Sequence, residues 1–383
     1  MARVDIAPDV LRWARERSSV AIEQMVRKFP RYESWESGEG GPTFNQLPDL
    51  ANFLHVSMGL LFLPAPIDEN LPLPDFRRID PNQQQRPSPE LLDTIMECQR
   101  RQTWYQVHVR QDGAGPLRFV GSATTADDPV AIAGRIRTVL ELEVGERSVA
   151  ASWVDFLRVF IRAVQDAGVL VMVNGVVGNN TRRKLDPREF RGFAIADALA
   201  PLIFINGADA KAAQIFTLAH EVAHVWLGQS GVSKVQPDTI QIDNEVEFWC
   251  NKVAAEVLVP MAQLQSMDLT GEISERMIRI ARMFRVSTLV ALRRLLEAGT
   301  ITASAFRSAY DEELKRILAQ DNQREPGGNF YNTMNARVDR NFAAAVISST
   351  IEGRTLIGEA MNLLNVQNTK TLKREAIELG FSL

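Results

Sequence analysis

His220-Glu221-Val222-Ala223-His224 places two of the chain's four histidines four residues apart, with a carboxylate beside the first. On an α-helix, positions i and i+4 lie one turn apart on one face, so both imidazoles can reach a single ion while Glu221 sits next to it. Those residue types suit a hydrolytic zinc centre. Zinc lowers the pKa of its water towards about 7 and polarises a carbonyl, and an adjacent carboxylate that is not a ligand takes the proton and passes it on. A structural zinc site or a decayed enzyme is the competing reading. Glu221 favours hydrolysis, because a merely structural site has no need of it.

A catalytic zinc takes three protein ligands and keeps one position open. The remaining histidines, His55 and His108, lie far upstream, and the sixth residue after His224 is Ser230, so the extended H-E-x-x-H-x-x-G-x-x-H pattern is absent. The third ligand is therefore expected to be a carboxylate on the next predicted helix, Asn244 to Val259, which carries Glu245, Glu247 and Glu256. Glu247 is preferred, since Asn251 one turn later can hydrogen-bond the outer nitrogen of a ligating histidine and fix its orientation. Glu245 and Glu256 stay as alternatives. Cys250 falls on the apolar stripe of Val246, Val253, Ala254, Val257 and Leu258, which argues against a thiolate ligand. For a group that stabilises the oxyanion beside the metal, the sequence offers Tyr310, Tyr331 or an arginine.

The elements that must position these residues are readable. Lys211 to Trp226 lacks Gly and Pro and carries apolar residues at helical spacing, with Gly228 as its stop. Ahead of it, Val169–Val173, Phe190–Ile195 and Leu202–Ile205 are rich in β-branched and aromatic residues and read as strands of a small sheet. Trp153 to Ala167, Pro129 to Leu142 and Pro89 to Arg110 read as helices. The segment Gly178 to Lys184 reads as a basic polar loop, either a solvated turn or a cover whose Asn180, Arg182 and Arg183 grip a substrate carboxylate or phosphate. Ile278 to Ala298 reads as a helical pair with Arg282, Arg285, Arg293 and Arg294, better suited to packing behind the site than to reading DNA.

The stretch Phe216-Thr-Leu-Ala-His-Glu-Val-Ala-His224, followed by Glu247-x-x-Cys-Asn251-x-x-Ala-Ala-Glu-x-Leu-x-Pro260, resembles the ImmA/IrrE family of metallopeptidases over roughly Ser152 to Thr302. That resemblance implies a fold similar to thermolysin-like gluzincins, Zn2+ held by His220, His224 and Glu247, Glu221 as catalytic acid/base, and cleavage of helix-turn-helix repressors. Near the N-terminus, Trp35-Glu-Ser-Gly38, Pro42 and Leu47-Pro-Asp-Leu-Ala-Asn-Phe-Leu54 resemble an XRE-type helix-turn-helix. The segment between Phe29 and Trp35 is shorter than that family's pattern and is interrupted by Pro30, so the recognition helix looks truncated. Arg27, Lys28 and Arg31 can still contact DNA phosphates, giving weak, salt-sensitive binding. A module that docks a protein partner is the other reading.

Composition fits a cytoplasmic enzyme: 383 residues, 45% hydrophobic, 23% charged and a net charge of −4. The two cysteines, Cys98 and Cys250, suggest no disulfide framework. No signal peptide or membrane span is visible, and the charge makes no global case for nucleic acid. The expected architecture is α+β and predominantly helical. It comprises an XRE-like module over 1–63, a Pro/Gln-rich linker over 64–89, a helical connector over 90–150, a zinc peptidase domain over 151–302 and a helical region over 303–383 whose surface can dock a partner. This arrangement resembles fused XRE/ImmA-type regulators of mobile elements, stress responses and toxin–antitoxin loci, and that resemblance implies two competing functions. One is a zinc endopeptidase that cuts a repressor or antitoxin. The other is an antitoxin-like regulator that binds a toxin, such as a PIN-type ribonuclease, and its own promoter DNA, with a zinc site that is structural or only conditionally active. No oligomeric state is legible.

Overall fold

In the computed structural model the described residues are 3–18, 20–67, 71–75, 87–142, 152–233, 244–321 and 337–381. Most of the predicted linker and Tyr331 lie outside them. The chain divides into two compact units, Met1–Pro72 with Gln84–Asp93, and Leu73–Gln83 with Thr94–Leu383.

In the first unit, Pro8 at the first helical position starts helix α1 (Pro8–Arg17), followed by α2 (Ile22–Lys28), α3 (Tyr32–Glu36) and α4 (Leu47–Phe53). Val10, Leu11, Ala14, Met25, Phe29, Tyr32, Trp35, Leu47, Leu50 and Leu54 form its core. The Tyr32 hydroxyl donates to the Leu11 carbonyl at 2.8 Å, and Arg15 grips Glu36 through two bonds of 3.0 and 2.8 Å. Tyr32, Trp35 and Glu36 are buried, so the five-residue α3 turns most of its side chains inward. Arg27, Lys28 and Arg31 are exposed, with the Lys28 ammonium 4.2 Å from the ring centroid of Phe53.

The second unit is built around a four-stranded sheet of order β1-β5-β4-β6, where β1 is Leu170–Asn174, β4 Gly192–Ile195, β5 Leu202–Asn206 and β6 Gly231–Ser233. β1 and β5 run parallel, while β4 is antiparallel to both β5 and β6. Burial of every residue in β1, β4 and β5 matches the continuous apolar runs read from the sequence, while the equally buried β6 has no counterpart there. The segment expected to be a loop, Gly178–Lys184, is instead mostly strand β3 (Asn180–Lys184), which pairs with β2 (Val176–Val177). Its composition concealed this: a charged strand paired along one edge and exposed on its faces has no apolar alternation to betray it.

Helices cover the sheet. α5 (Pro89–Gln111) and α6 (Pro129–Val139) precede α7 (Trp153–Asp166), whose Phe156, Phe160 and Val164 are buried. α8 (Lys211–Leu227) and α9 (Glu245–Leu258) carry the residues of interest, and α10 (Met261–Gln265), α11 (Ile273–Phe284), α12 (Thr288–Glu297) and α13 (Ala303–Asp321) follow. One hydrophobic core runs through α6, α7, the sheet, α8, α9, α11 and α12. Finally α14 (Arg340–Ile351), α15 (Ile357–Leu363) and α16 (Thr369–Glu378) form a helical trio. Buried Asp339 fastens it to β1: one carboxylate oxygen accepts from the Val171 N–H at 2.8 Å, the other from the Phe342 N–H at 2.9 Å as the cap of α14. Among the described residues no helix is long and apolar enough to cross a membrane.

Candidate metal centre

Every residue of α8 from Gln214 to Trp226 is buried, which makes it the central helix of the unit rather than a surface one. The Gln214 amide donates to the carbonyls of Gly207 and Asp209, tying down its first turn, and Gly228 ends it at φ +67°, where an L side chain would be strained. α8 lies so close to β4 that a Cβ placed on Gly192 would come within 2.7 Å of Thr217 Cγ2, 2.9 Å of the Phe204 carbonyl and 3.2 Å of Glu221 Oε1. The glycine thus sets how near the sheet comes to Glu221.

α9 begins at Asn244, whose side chain accepts from the Val246 and Glu247 N–H groups, and so Glu247 sits in the first turn facing α8. The ligand atoms of His220, His224 and Glu247 lie within 4.8 Å of one another. The two Nε2 atoms are 3.1 Å apart, Glu247 Oε1 is 3.0 Å from His224 Nε2, and Oε2 is 3.3 Å from His220 Nε2. Four ligands placed tetrahedrally at zinc distances are separated by about 3.3 Å, so these donors are spaced to hold such an ion. Asn251 Oδ1 lies 3.0 Å from His220 Nδ1, so that nitrogen donates and the Nε2 lone pair faces the cluster.

Glu221 is fully buried, and among the described residues its oxygens have no well-formed hydrogen bond, the Ser233 hydroxyl being the group that approaches them. Burial, then the negative charge of Glu247, push its carboxyl well above the ordinary range, with the nearby Ser233 hydroxyl acting weakly the other way. Burial works against ionisation of Glu247 too, but the two histidines outweigh it and bring the carboxyl to about 2. His224 is held below its ordinary value, first by burial. His224 is thereby favoured as neutral imidazole and Glu247 as carboxylate, the forms in which these groups bind metal.

The other sequence candidates lie elsewhere. Glu245 is exposed. Glu256 is committed to a buried ion pair with Arg294, which also donates to the Val259 carbonyl, while Glu256 accepts from the Met261 N–H at 3.0 Å. Cys250 is fully buried, and burial, then Glu247 and Glu221, push its thiol far up, away from the thiolate a metal needs. His55 belongs to the first unit, and His108 stacks on Trp104 and pairs with Asp112 at 3.3 Å. Tyr310 packs against Phe306 beside the hydrophobic core. Asn180 and Arg182 are exposed on β3, and Arg183 is half-buried.

Sequence reasoning passed over Ser233. Its side chain is fully buried, and its Oγ stands 3.5 Å from His224 Nε2. β6 is too short for a periodic signal, so only its pairing with β4, which sets Gly192 opposite Ser233, brings this hydroxyl to the centre.

Residues 164–296, which include His220, Glu221, His224, Ser233, Glu247 and Asn251, match the family model of a peptidase domain described as the IrrE N-terminal-like domain. Residues 338–378, the helical trio, match a domain of unknown function, DUF8813. No curated protein matches the chain.

Proposed function

We propose that this chain is a zinc-dependent endopeptidase that cuts a regulatory protein, a repressor or an antitoxin. The observation that carries the reading is Glu221. A fully buried carboxylate short of hydrogen bonds among the described residues is costly to keep, and it stands beside three converging donors that have the types and spacing of a zinc site. Zinc, when bound, supplies an activated water and polarises the substrate carbonyl. Glu221 takes the proton from the water and delivers it to the leaving amine. Asn251 holds the His220 ring so that its Nε2 points inward. Ser233 presents a hydroxyl to the same space, where it can orient the water or the developing oxyanion.

The regulator setting draws on the first unit. With Tyr32, Trp35 and Glu36 turned into its core, α3 keeps little surface for a DNA groove, which favours a docking role over base reading. Exposed Arg27, Lys28 and Arg31 remain available to phosphates.

Metal content and cleavage of labelled casein test the reading together. Wild type should carry close to one zinc per chain, lost in His220→Ala and Glu247→Ala. Glu221→Gln should keep the metal and lose cleavage. A Glu221→Gln chain that cuts casein at the wild-type rate would refute the assignment, and zinc retained in Glu247→Ala would refute the ligand set.

A further inference from the structure

β6 ends the sheet order β1-β5-β4-β6 and carries Ser233 to the metal-binding group. One edge of β6 pairs with β4, with Gly192 opposite Ser233, Phe193 opposite Val232 and Ala194 opposite Gly231. The other edge is where an extended segment can add as a further strand, one residue away from Ser233. In this chain that place is taken. The Val232 N–H donates to the Pro74 carbonyl at 2.9 Å, and Asp75 bridges to Val232 in the parallel sense. Leu73, only 8% exposed, anchors the segment.

The covering residues read Leu73-Pro74-Asp75. Pro74, whose carbonyl accepts from the Val232 N–H, has no N–H of its own to offer β6, so the segment pairs through fewer bonds than an ordinary strand. A backbone with so few donors is also poorly gripped as a substrate strand, which lets it lie beside a peptidase centre without being cut. It is held at β6 by the bridge between Asp75 and Val232, with Leu73 buried beside it. A longer peptide with a full set of N–H groups has more to gain from the same edge.

We propose that the outer edge of β6 is where an extended, unfolded peptide docks for reaction at Glu221, and that Leu73–Asp75 is an autoinhibitory strap occupying that edge. The proposal rests on the peptidase reading above. It makes the enzyme self-restrained: substrate must displace the strap by pairing its own backbone with Val232.

The test uses the full zinc-loaded chain with Leu73→Asp, and with Leu73→Ala as a milder variant that keeps the fold if the charge does not. Amide hydrogen exchange at Val232 reports release of the strap. Binding of fluorescein-labelled, reduced casein is read by anisotropy in a Glu221→Gln background, and cleavage of the same probe is read with Glu221 intact. Freeing the edge should speed exchange at Val232 and tighten casein binding by roughly tenfold, as expected when an internal competitor is removed, with cleavage rising in step. Unchanged exchange, or faster exchange with unchanged casein affinity, overturns the strap whatever the cleavage rate. Tighter binding with no cleavage by any Glu221 chain instead overturns the peptidase reading and leaves β6 as a docking edge.

Discussion

His220 Nδ1 and Asn251 Oδ1 are 3.0 Å apart, a bond that links α8 to α9 on the side of the imidazole away from the other donors. It fixes the tautomer and the ring plane, so replacing Asn251 with Ala should weaken zinc binding by about 10- to 100-fold. Competition with a chelating dye measures this. Unaltered affinity would mean that helix packing alone holds the ring.

Gly192→Ala places a methyl against Thr217, the Phe204 carbonyl and Glu221. Since β4 and α8 are both fully packed, the methyl must push them apart, at a cost of about 1–3 kcal/mol in chemical denaturation. A loss below ~0.5 kcal/mol would show that the sheet and helix separate freely.

Arg294 and Glu256 are both buried and joined by an ion pair between α12 and the end of α9. Arg294→Met leaves the Glu256 carboxylate without its countercharge and should cost about 3–5 kcal/mol. Adding Glu256→Leu should recover much of that loss, because the unpaired charge is gone. No recovery in the double variant would assign the effect to packing.

Asp339 gives a pH signature. Burial raises its carboxyl from 3.8 to about 6, although its bonds to the Val171 and Phe342 N–H groups oppose the shift. A carboxyl raised in the folded state contributes stability that is complete below its unfolded pKa and is lost as pH rises through the folded one. Between pH 4 and pH 7 the stability of wild type relative to Asp339→Asn should therefore fall, by on the order of 3 kcal/mol at most. Parallel pH profiles for the two proteins would place Asp339 in a more hydrated setting than its burial implies.

What the sequence determined by itself was local. The i, i+4 spacing of His220 and His224 on a Gly- and Pro-free apolar stretch specifies a helix that presents both rings, because the helical period is a property of neighbouring residues. The same holds for Glu247 and Asn251, one turn apart on α9, and for the apolar runs that became β1, β4 and β5. Tertiary structure decided which distant segments meet. It made strand β3 from a charged stretch that reads as a loop, set Ser233 beside His224, drew Glu256 away to Arg294, and laid Leu73–Asp75 along β6. Strand partners, edge covers and buried ion pairs depend on contacts between residues far apart in the chain. Local periodicity carries no record of them, since a short or charged strand earns its place from its neighbours rather than from its own composition.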